Sequence, residues 1–145
     1  MKRIVTALII LSFVVSSFAS ETVFTKFVYR DGDKLMDEYG ELRFISFNIP
    51  NLHYNEDNMS FTQMNPWRLP NEFEIADALE AVRQMGGQVV RTYTLSVRVA
   101  GEDPKIPRHI LGPGQFDEKS FQALDMVLAV ANRKGMRVIF PFIDN

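Results

Sequence analysis

The sequence predicts an α/β fold, the N-terminal part of a (β/α)8 TIM barrel preceded by a β-hairpin, and three observations carry that prediction. Strand and helix signals alternate as β-α-β-α-β once a short hairpin is passed. The glycines follow helices instead of opening them, and neither a G-x-G-x-x-G nor a Walker pattern occurs, which disfavours a doubly wound nucleotide-binding sheet. The strand-to-helix segments, residues 49–70 and 96–116, run to about twenty residues each and are rich in Pro, Asn, His and aromatics, whereas the helix-to-strand turns are very short. Long loops at one end fit a barrel, which builds its site from the loops at the carboxyl ends of its strands. About three of the eight core strands are expected in this chain.

Residues 1–19 read as a cleavable secretory leader: Lys2 and Arg3 precede the apolar run 4–18, which exits through the small residues Ser17 and Ala19. The run is short for a membrane span and lacks a stop-transfer flank. Residues 20–41 hold the predicted hairpin, with strands over 27–30 and 34–36 joined by Asp31-Gly32-Asp33. A second turn at Glu38-Tyr39-Gly40 leads into residues 42–145, the expected incomplete barrel domain, whose first core strand covers 42–48.

Asn71 and Glu74 have capping-box spacing, and Phe73, Ile75, Ala76, Leu79, Val82 and Met85 recur at helical spacing until Gly86-Gly87 stops the pattern. Residues 88–95 read as the second core strand. Asp117 is expected to cap a second helix with an apolar stripe through Phe121, Leu124, Leu128 and Ala131, ended by Gly135. The closing run 137–145 reads as a buried parallel strand, apolar on both faces, that requires neighbours and a covering helix; on this ground the chain reads as part of a larger protein.

The chain has 145 residues, 46% of them hydrophobic, and a formal charge of −2, which leader cleavage makes more negative. No basic patch points to nucleic acid. The absence of cysteine removes disulfides, thiolate nucleophiles and Cys-based zinc sites. With the leader, these features predict a secreted or periplasmic protein without a stable membrane anchor after cleavage.

Four stretches together, residues 27–36, residues 42–48, Val89-Val90-Arg91-Thr92-Tyr93 and residues 135–145, resemble the start of glycoside hydrolase family 5, most closely its endo-β-1,4-mannanase-like branch. The resemblance implies a (β/α)8 barrel and retaining hydrolysis of a β-linked plant-type polysaccharide, by a glutamate acid/base and a glutamate nucleophile on the fourth and seventh strands. It implies no cofactor, and a polysaccharide as the binding partner. This chain reaches only the third strand and contains no Asn-Glu-Pro stretch, so no catalytic carboxylate is assigned within it and the chain alone is expected to be inactive.

Arg91 matches the family's second-strand arginine, which supports the nucleophile. A guanidinium inside an apolar strand independently demands acceptors, and a structural ion pair is the alternative. Asn48 matches the asparagine of the Phe-x-Gly-x-Asn-x-Tyr-Trp pattern, but Ser46 replaces its glycine, and Pro50 and Asn51 stand where the aromatic pair would. Either substrate contact or local backbone bonding suits Asn48.

Trp67 lies in a long loop with His53, Tyr54, Phe61 and Asn65, where sugar stacking competes with packing as a hydrophobic staple, the favoured reading. Tyr93, in the stretch that carries the resemblance, and Asp144 and Asn145, at the carboxyl end of the closing strand, complete the candidate substrate-binding set. His53 and His109 read as single loop histidines, and no metal site is expected. Asn58-Met59-Ser60 fits a glycosylation sequon. The alternative to an enzyme part is a non-catalytic carbohydrate-binding or interaction protein whose sheet is completed by a partner or by self-association.

Overall fold

A computed structural model describes residues 23–56 and 67–143. The leader, the sequon at Asn58, Phe61, Asn65, the side chain of Trp67, and Asp144 and Asn145 lie outside the described residues. The first strands, β1 (Tyr29–Asp31), β2 (Lys34–Asp37) and β3 (Gly40–Glu41), form an antiparallel meander. Its first turn is the one that Asp31-Gly32 specifies. Residues 42–45 are not strand: β2 pairs with β3, and the chain resumes ladder pairing only at β4 (Ser46–Asn48).

The central sheet is parallel and has the order β4, β7 (Val89–Arg91), β10 (Arg137–Ile139). The register aligns Phe47, Val90 and Val138 in one row and Asn48, Arg91 and Ile139 in the next. Between these strands lie α1 (Glu72–Gln84) and α2 (Glu118–Arg133). The two long connections are not featureless: one contains a 3₁₀ turn at Pro50–Leu52 and the ribbon β5 (Asn55–Glu56)–β6 (Trp67–Arg68), the other the ribbon β8 (Ile110–Gly112)–β9 (Gln115–Phe116).

Each core strand is shorter than predicted. The β-branched runs 88–95 and 137–145 have strand chemistry throughout, but ladder pairing lasts three residues, after which the chain leaves the sheet to build loops. The closing run is also not buried on both faces. Because β10 is an edge strand, Ile139, Phe142 and Ile143 are exposed.

Both helices pack on one face of the sheet. Ile75, Leu79 and Val82 of α1 and Val127, Val130 and Ala131 of α2 join Val90 in a single buried cluster, with Phe47 and Val138 against it. Side chains alternate along a strand, so Asn48 and Arg91, one residue beyond that row, point away from the helices.

The predicted capping box is present. Asn71 Oδ1 accepts from the Glu74 N–H at 3.0 Å, and the Glu74 carboxylate accepts from the Asn71 N–H at 2.9 Å. Arg68 also bonds that carboxylate, tying the end of β6 to the start of α1. The cap of α2 is formed as expected, with the Asp117 carboxylate accepting from the Ser120 N–H at 3.1 Å and its hydroxyl at 2.6 Å. Phe73, however, is 76% exposed and Met85 lies beyond the last turn of α1, so the buried stripe is narrower than the apolar spacing.

On α2 the buried face runs through Ser120, Ala123, Leu124, Val127, Val130 and Ala131. Leu124 and Ala131 of the predicted stripe lie on that face, whereas Phe121 and Leu128 do not. Phe121 turns instead to the His109 ring, at 5.4 Å between centroids, and Leu128, 46% exposed, lines a groove against residues 24–28. Ion pairs Arg133–Glu72 and Lys134–Glu80, the latter at 3.0 Å, bridge the two helices. Glu80 is held well below the usual carboxylate range by hydrogen bonds from Arg83, Lys134 and Gln84.

Gly86 and Gly135 end their helices in the left-handed conformation, with φ of 82° and 66°. Gly87 is constrained differently: a Cβ there would sit 2.8 Å from the Phe47 ring and closer still to Val82. Gly87→Ala is therefore expected to destabilise the fold by about 1–3 kcal/mol. Denaturant unfolding measures this, and a variant as stable as the parent would show that α1 and β4 can separate at no cost.

Candidate functional site

Asn48 and Arg91 end adjacent parallel strands and are register partners. Three backbone hydrogen bonds carry the order past the ladder: the Ile49 N–H donates to the Arg91 carbonyl at 2.9 Å, the Tyr93 N–H to the Pro50 carbonyl at 3.3 Å, and the Thr92 N–H to the Ile139 carbonyl at 3.2 Å. The carboxyl ends of all three strands are thus cross-linked where the polar residues emerge. Asn48, Pro50, Arg91, Thr92 and Tyr93 line a concavity of about 170 Å³ there.

Three predicted site residues, Asn48, Arg91 and Tyr93, therefore share one small site. Arg91 is half-buried, and Tyr93 is largely exposed. The Trp67 backbone pairs with Glu56 in the ribbon that follows β4. Sequence reasoning missed Thr92 and Pro50 as lining residues. Pro50 was accessible in principle, since it occupies the place of an expected aromatic. Thr92 was not, because its role depends on a residue far away in sequence.

That residue is His53, whose Nδ1 pairs with the Thr92 hydroxyl. Neither His53 nor His109 is a solvent-facing loop residue: they are 1% and 0% exposed, with ring centroids 5.1 Å apart. Phe140 stands edge-on to His53 at 5.2 Å, and Phe121 is edge-on to His109. Burial pushes the His53 ring down to about 4, His109 nearby adds to the depression, and a hydrogen bond with the Thr94 backbone opposes it. The His109 ring is lowered by burial and by Arg108, against the Asp117 carboxylate, which raises it.

The Ser96 N–H points at His109 Nδ1 at 3.3 Å and the Ser96 hydroxyl lies 2.9 Å from the same atom. A backbone N–H can only donate, so Nδ1 is the acceptor and the neutral ring carries its proton on Nε2. That Nε2 is buried and has no hydrogen-bond partner among the described residues.

The second long connection is held against the first. The Tyr54 hydroxyl donates to the Pro107 carbonyl at 2.8 Å, and the Arg108 guanidinium lies over the Tyr54 ring at 5.6 Å while pairing with the nearly buried Glu102. Arg108 in turn keeps the Glu102 carboxyl below its ordinary value. Chemically, the concavity offers a permanently charged guanidinium, an amide that both donates and accepts, and an exposed aromatic ring, a set suited to a polyhydroxyl ligand. Asn48, Arg91 and Tyr93 include no carboxylate. Among the described residues no group of three or more His, Cys, Asp or Glu side chains is placed to hold a metal ion.

No family model matches the chain. It is similar to mannan endo-1,4-beta-mannosidase 5 of Solanum lycopersicum, 28% identical over 109 residues, which cover 70% of this chain and 25% of the relative. It is also similar to mannan endo-1,4-beta-mannosidase 5 of Arabidopsis thaliana, 34% identical over 71 residues covering 49% of this chain and 15% of the relative. A shorter match to mannan endo-1,4-beta-mannosidase 3 of Arabidopsis thaliana is 46% identical over 35 residues, 24% of this chain and 8% of the relative. The chain thus matches a quarter or less of the length of each of these relatives. With an α/β fold and several such matches, the chain is related to the endo-β-1,4-mannanase branch of glycoside hydrolase family 5.

Proposed function

We propose that this chain supplies the first strands and part of the substrate-facing rim of an exported, retaining β-glycoside hydrolase of (β/α)8 architecture that acts on a β-mannan. The observation that carries the reading is the meeting of Asn48, Arg91 and Tyr93 in one concavity at the carboxyl ends of adjacent parallel strands. The one-sided helical layer and the strand order β4-β7-β10 support the barrel. In this reading the Arg91 guanidinium steadies the nucleophilic carboxylate and keeps it ionised. Asn48 bonds sugar hydroxyls, and the Tyr93 ring packs on a sugar face. Glycoside hydrolysis needs two carboxyl groups flanking the scissile bond, so the chain by itself binds the polysaccharide without cleaving it.

Calorimetric titration with β-1,4-mannopentaose tests this reading. Asn48→Ala is expected to weaken binding by about tenfold, the effect of losing a hydrogen bond to a sugar hydroxyl. Absence of binding by the unmodified chain, or hydrolysis of mannan by it, contradicts the reading. The alternative, a non-catalytic protein whose sheet is completed by a partner or a second copy, draws on the exposed edge at β10. A monodisperse oligomer that unfolds cooperatively is the result that would favour it. Export rests on the leader at residues 1–19, and the mass of the mature N-terminus tests cleavage after Ala19.

A further inference from the structure

The ladder of the parallel sheet stops at Asn48 and Arg91, and beyond it the geometry of the concavity depends on two irregular chain exits. One, after β4, carries Pro50 and then His53. The other, after β7, carries Thr92 and Tyr93. Between their backbones the exits are joined by two bonds, from the Ile49 N–H to the Arg91 carbonyl at 2.9 Å and, further out, from the Tyr93 N–H to the Pro50 carbonyl at 3.3 Å, near the long end of the useful range. On the buried side they are joined by the His53 Nδ1–Thr92 hydroxyl pair.

Thr92 and His53 are both 1% exposed, so water does not substitute for either partner. Without His53 the buried Thr92 hydroxyl would lose this partner, while the His53 ring would keep its hydrogen bond with the Thr94 backbone. The His53 ring is itself fixed by its contacts with His109 and Phe140. His109 is fixed in turn by Ser96, whose hydroxyl also accepts from the His109 N–H at 3.2 Å. The rim of the concavity is therefore backed by a chain of buried side chains running from Thr92 through His53 to the second long connection.

We propose that His53 is a positioning residue for this site: acting through the Thr92 hydroxyl, it holds residues 91–93 against Pro50 and so sets where Arg91 and Tyr93 stand relative to Asn48. The proposal rests on the reading of that concavity as the saccharide-facing rim. The geometry itself can nevertheless be tested without any saccharide. Thr92→Val keeps the shape and removes the hydroxyl, and His53→Phe removes the nitrogen. Thr92→Ser keeps the hydroxyl, and His53→Asn places an amide nitrogen near the position of Nδ1.

The experiment is amide hydrogen exchange on the full chain without ligand, comparing the Tyr93 N–H with that of Val90 in the adjoining core. Thr92→Val and His53→Phe are each expected to speed Tyr93 exchange about tenfold while leaving Val90 unchanged, which is local opening and not loss of the fold. Thr92→Ser and His53→Asn are expected to restore the parental rate, and the double substitution to add nothing to either single one. Unchanged Tyr93 exchange in Thr92→Val overturns the proposal, as does a rise matched at Val90. Should His53→Phe fail to fold, Thr92→Val, which is close in shape to the parent, decides alone.

Titration with mannopentaose then separates the two ideas. Weaker binding by Thr92→Val at unchanged Val90 protection extends the positioning role to the ligand. No binding by the parental chain removes the saccharide reading, while the exchange result still decides whether His53 sets the rim.

Discussion

Lowering the pH from 7 to 5 is expected to cost this fold about 2 kcal/mol through His53 alone, rising to about 3 kcal/mol by pH 4. The ring titrates at about 4 in the folded chain, against an ordinary value of 6.5, chiefly because it is buried. Between those two values the unfolded chain binds a proton that the folded chain refuses. Stability is thus fully present above 6.5 and drains away as the pH falls toward 4. His109 acts in the same direction, since its ring is also lowered by burial. Protonating both would place two cations at 5.1 Å in a pocket walled by Phe140 and Phe121.

Carboxylates with lowered values, such as Glu102, add their own acid sensitivity at lower pH, below their ordinary value of 4.5, so the two windows are separable. Denaturant unfolding at half-unit pH steps measures the effect, with His53→Gln and His109→Gln expected to flatten the slope between pH 6.5 and 4.5. Equal stability of the parental chain at pH 7 and pH 5 would show that the rings reach water in the folded state.

Arg137→Ala is expected to destabilise the chain by about 3 kcal/mol and to loosen the meander. Arg137 begins β10, at the opposite end of the sheet from the concavity, and its guanidinium sits 3.6 Å from the Phe24 ring centroid. It donates to the Lys26 carbonyl at 2.8 Å and faces the Asp37 carboxylate at 3.5 Å, with the two ion-pair side chains only 14% and 7% exposed. At 3.5 Å the carboxylate contact is a long ion pair and not a well-formed hydrogen bond, and Arg137 Nε has no hydrogen-bond partner among the described residues, so the ring and the carbonyl supply much of the anchoring.

Truncation would leave the Asp37 carboxylate buried without a guanidinium, accepting from the Tyr39 N–H at 2.8 Å. Phe24 would then be held through Asn132, which bonds its backbone N–H and carbonyl at 2.9 Å each. Arg137→Lys keeps the charge without the planar fork and is expected to fall between the two. Unfolding free energies together with proteolysis of residues 23–41 provide the measurement. A loss under about 1 kcal/mol with unchanged proteolysis would mean that the meander docks by apolar contact alone.

Much of the scaffold was legible because its signals are local. The Asn71–Glu74 box, the Asp117 cap and the glycines after each helix act over one turn, and each forms as read. The parallel β4-β7-β10 order follows from alternation of strand and helix signals, a pattern that spans the chain but is assembled from short pieces. Placement of Asn48 at a strand end was also legible, because it closes the predicted strand 42–48, whereas Arg91 was read inside the strand 88–95 and stands at the end of β7.

Strand length was not legible. Residues 92–95 and 140–143 have the composition of strand, yet ladder pairing ends at Arg91 and Ile139. Half of the α2 stripe, Leu124 and Ala131, is buried as read, and the other half is not, for a related reason. Phe121 and Leu128 are apolar, but which face is buried is decided by α1 and the sheet, and those two side chains found other partners in His109 and the groove beside residues 24–28.

The sequence by itself determined where the helices begin and end, the order of the strands, and that Asn48 closes the first core strand, because caps, turns and alternation are interactions among near neighbours. Only the tertiary structure decided that Asn48, Arg91 and Tyr93 share one concavity, that His53 lies behind it on Thr92, and that Arg137 clamps the meander at the far end. Each of those depends on residues brought together across long stretches of chain. Burial, which lowers both of two unremarkable loop histidines, is a property of the packed molecule and not of any segment.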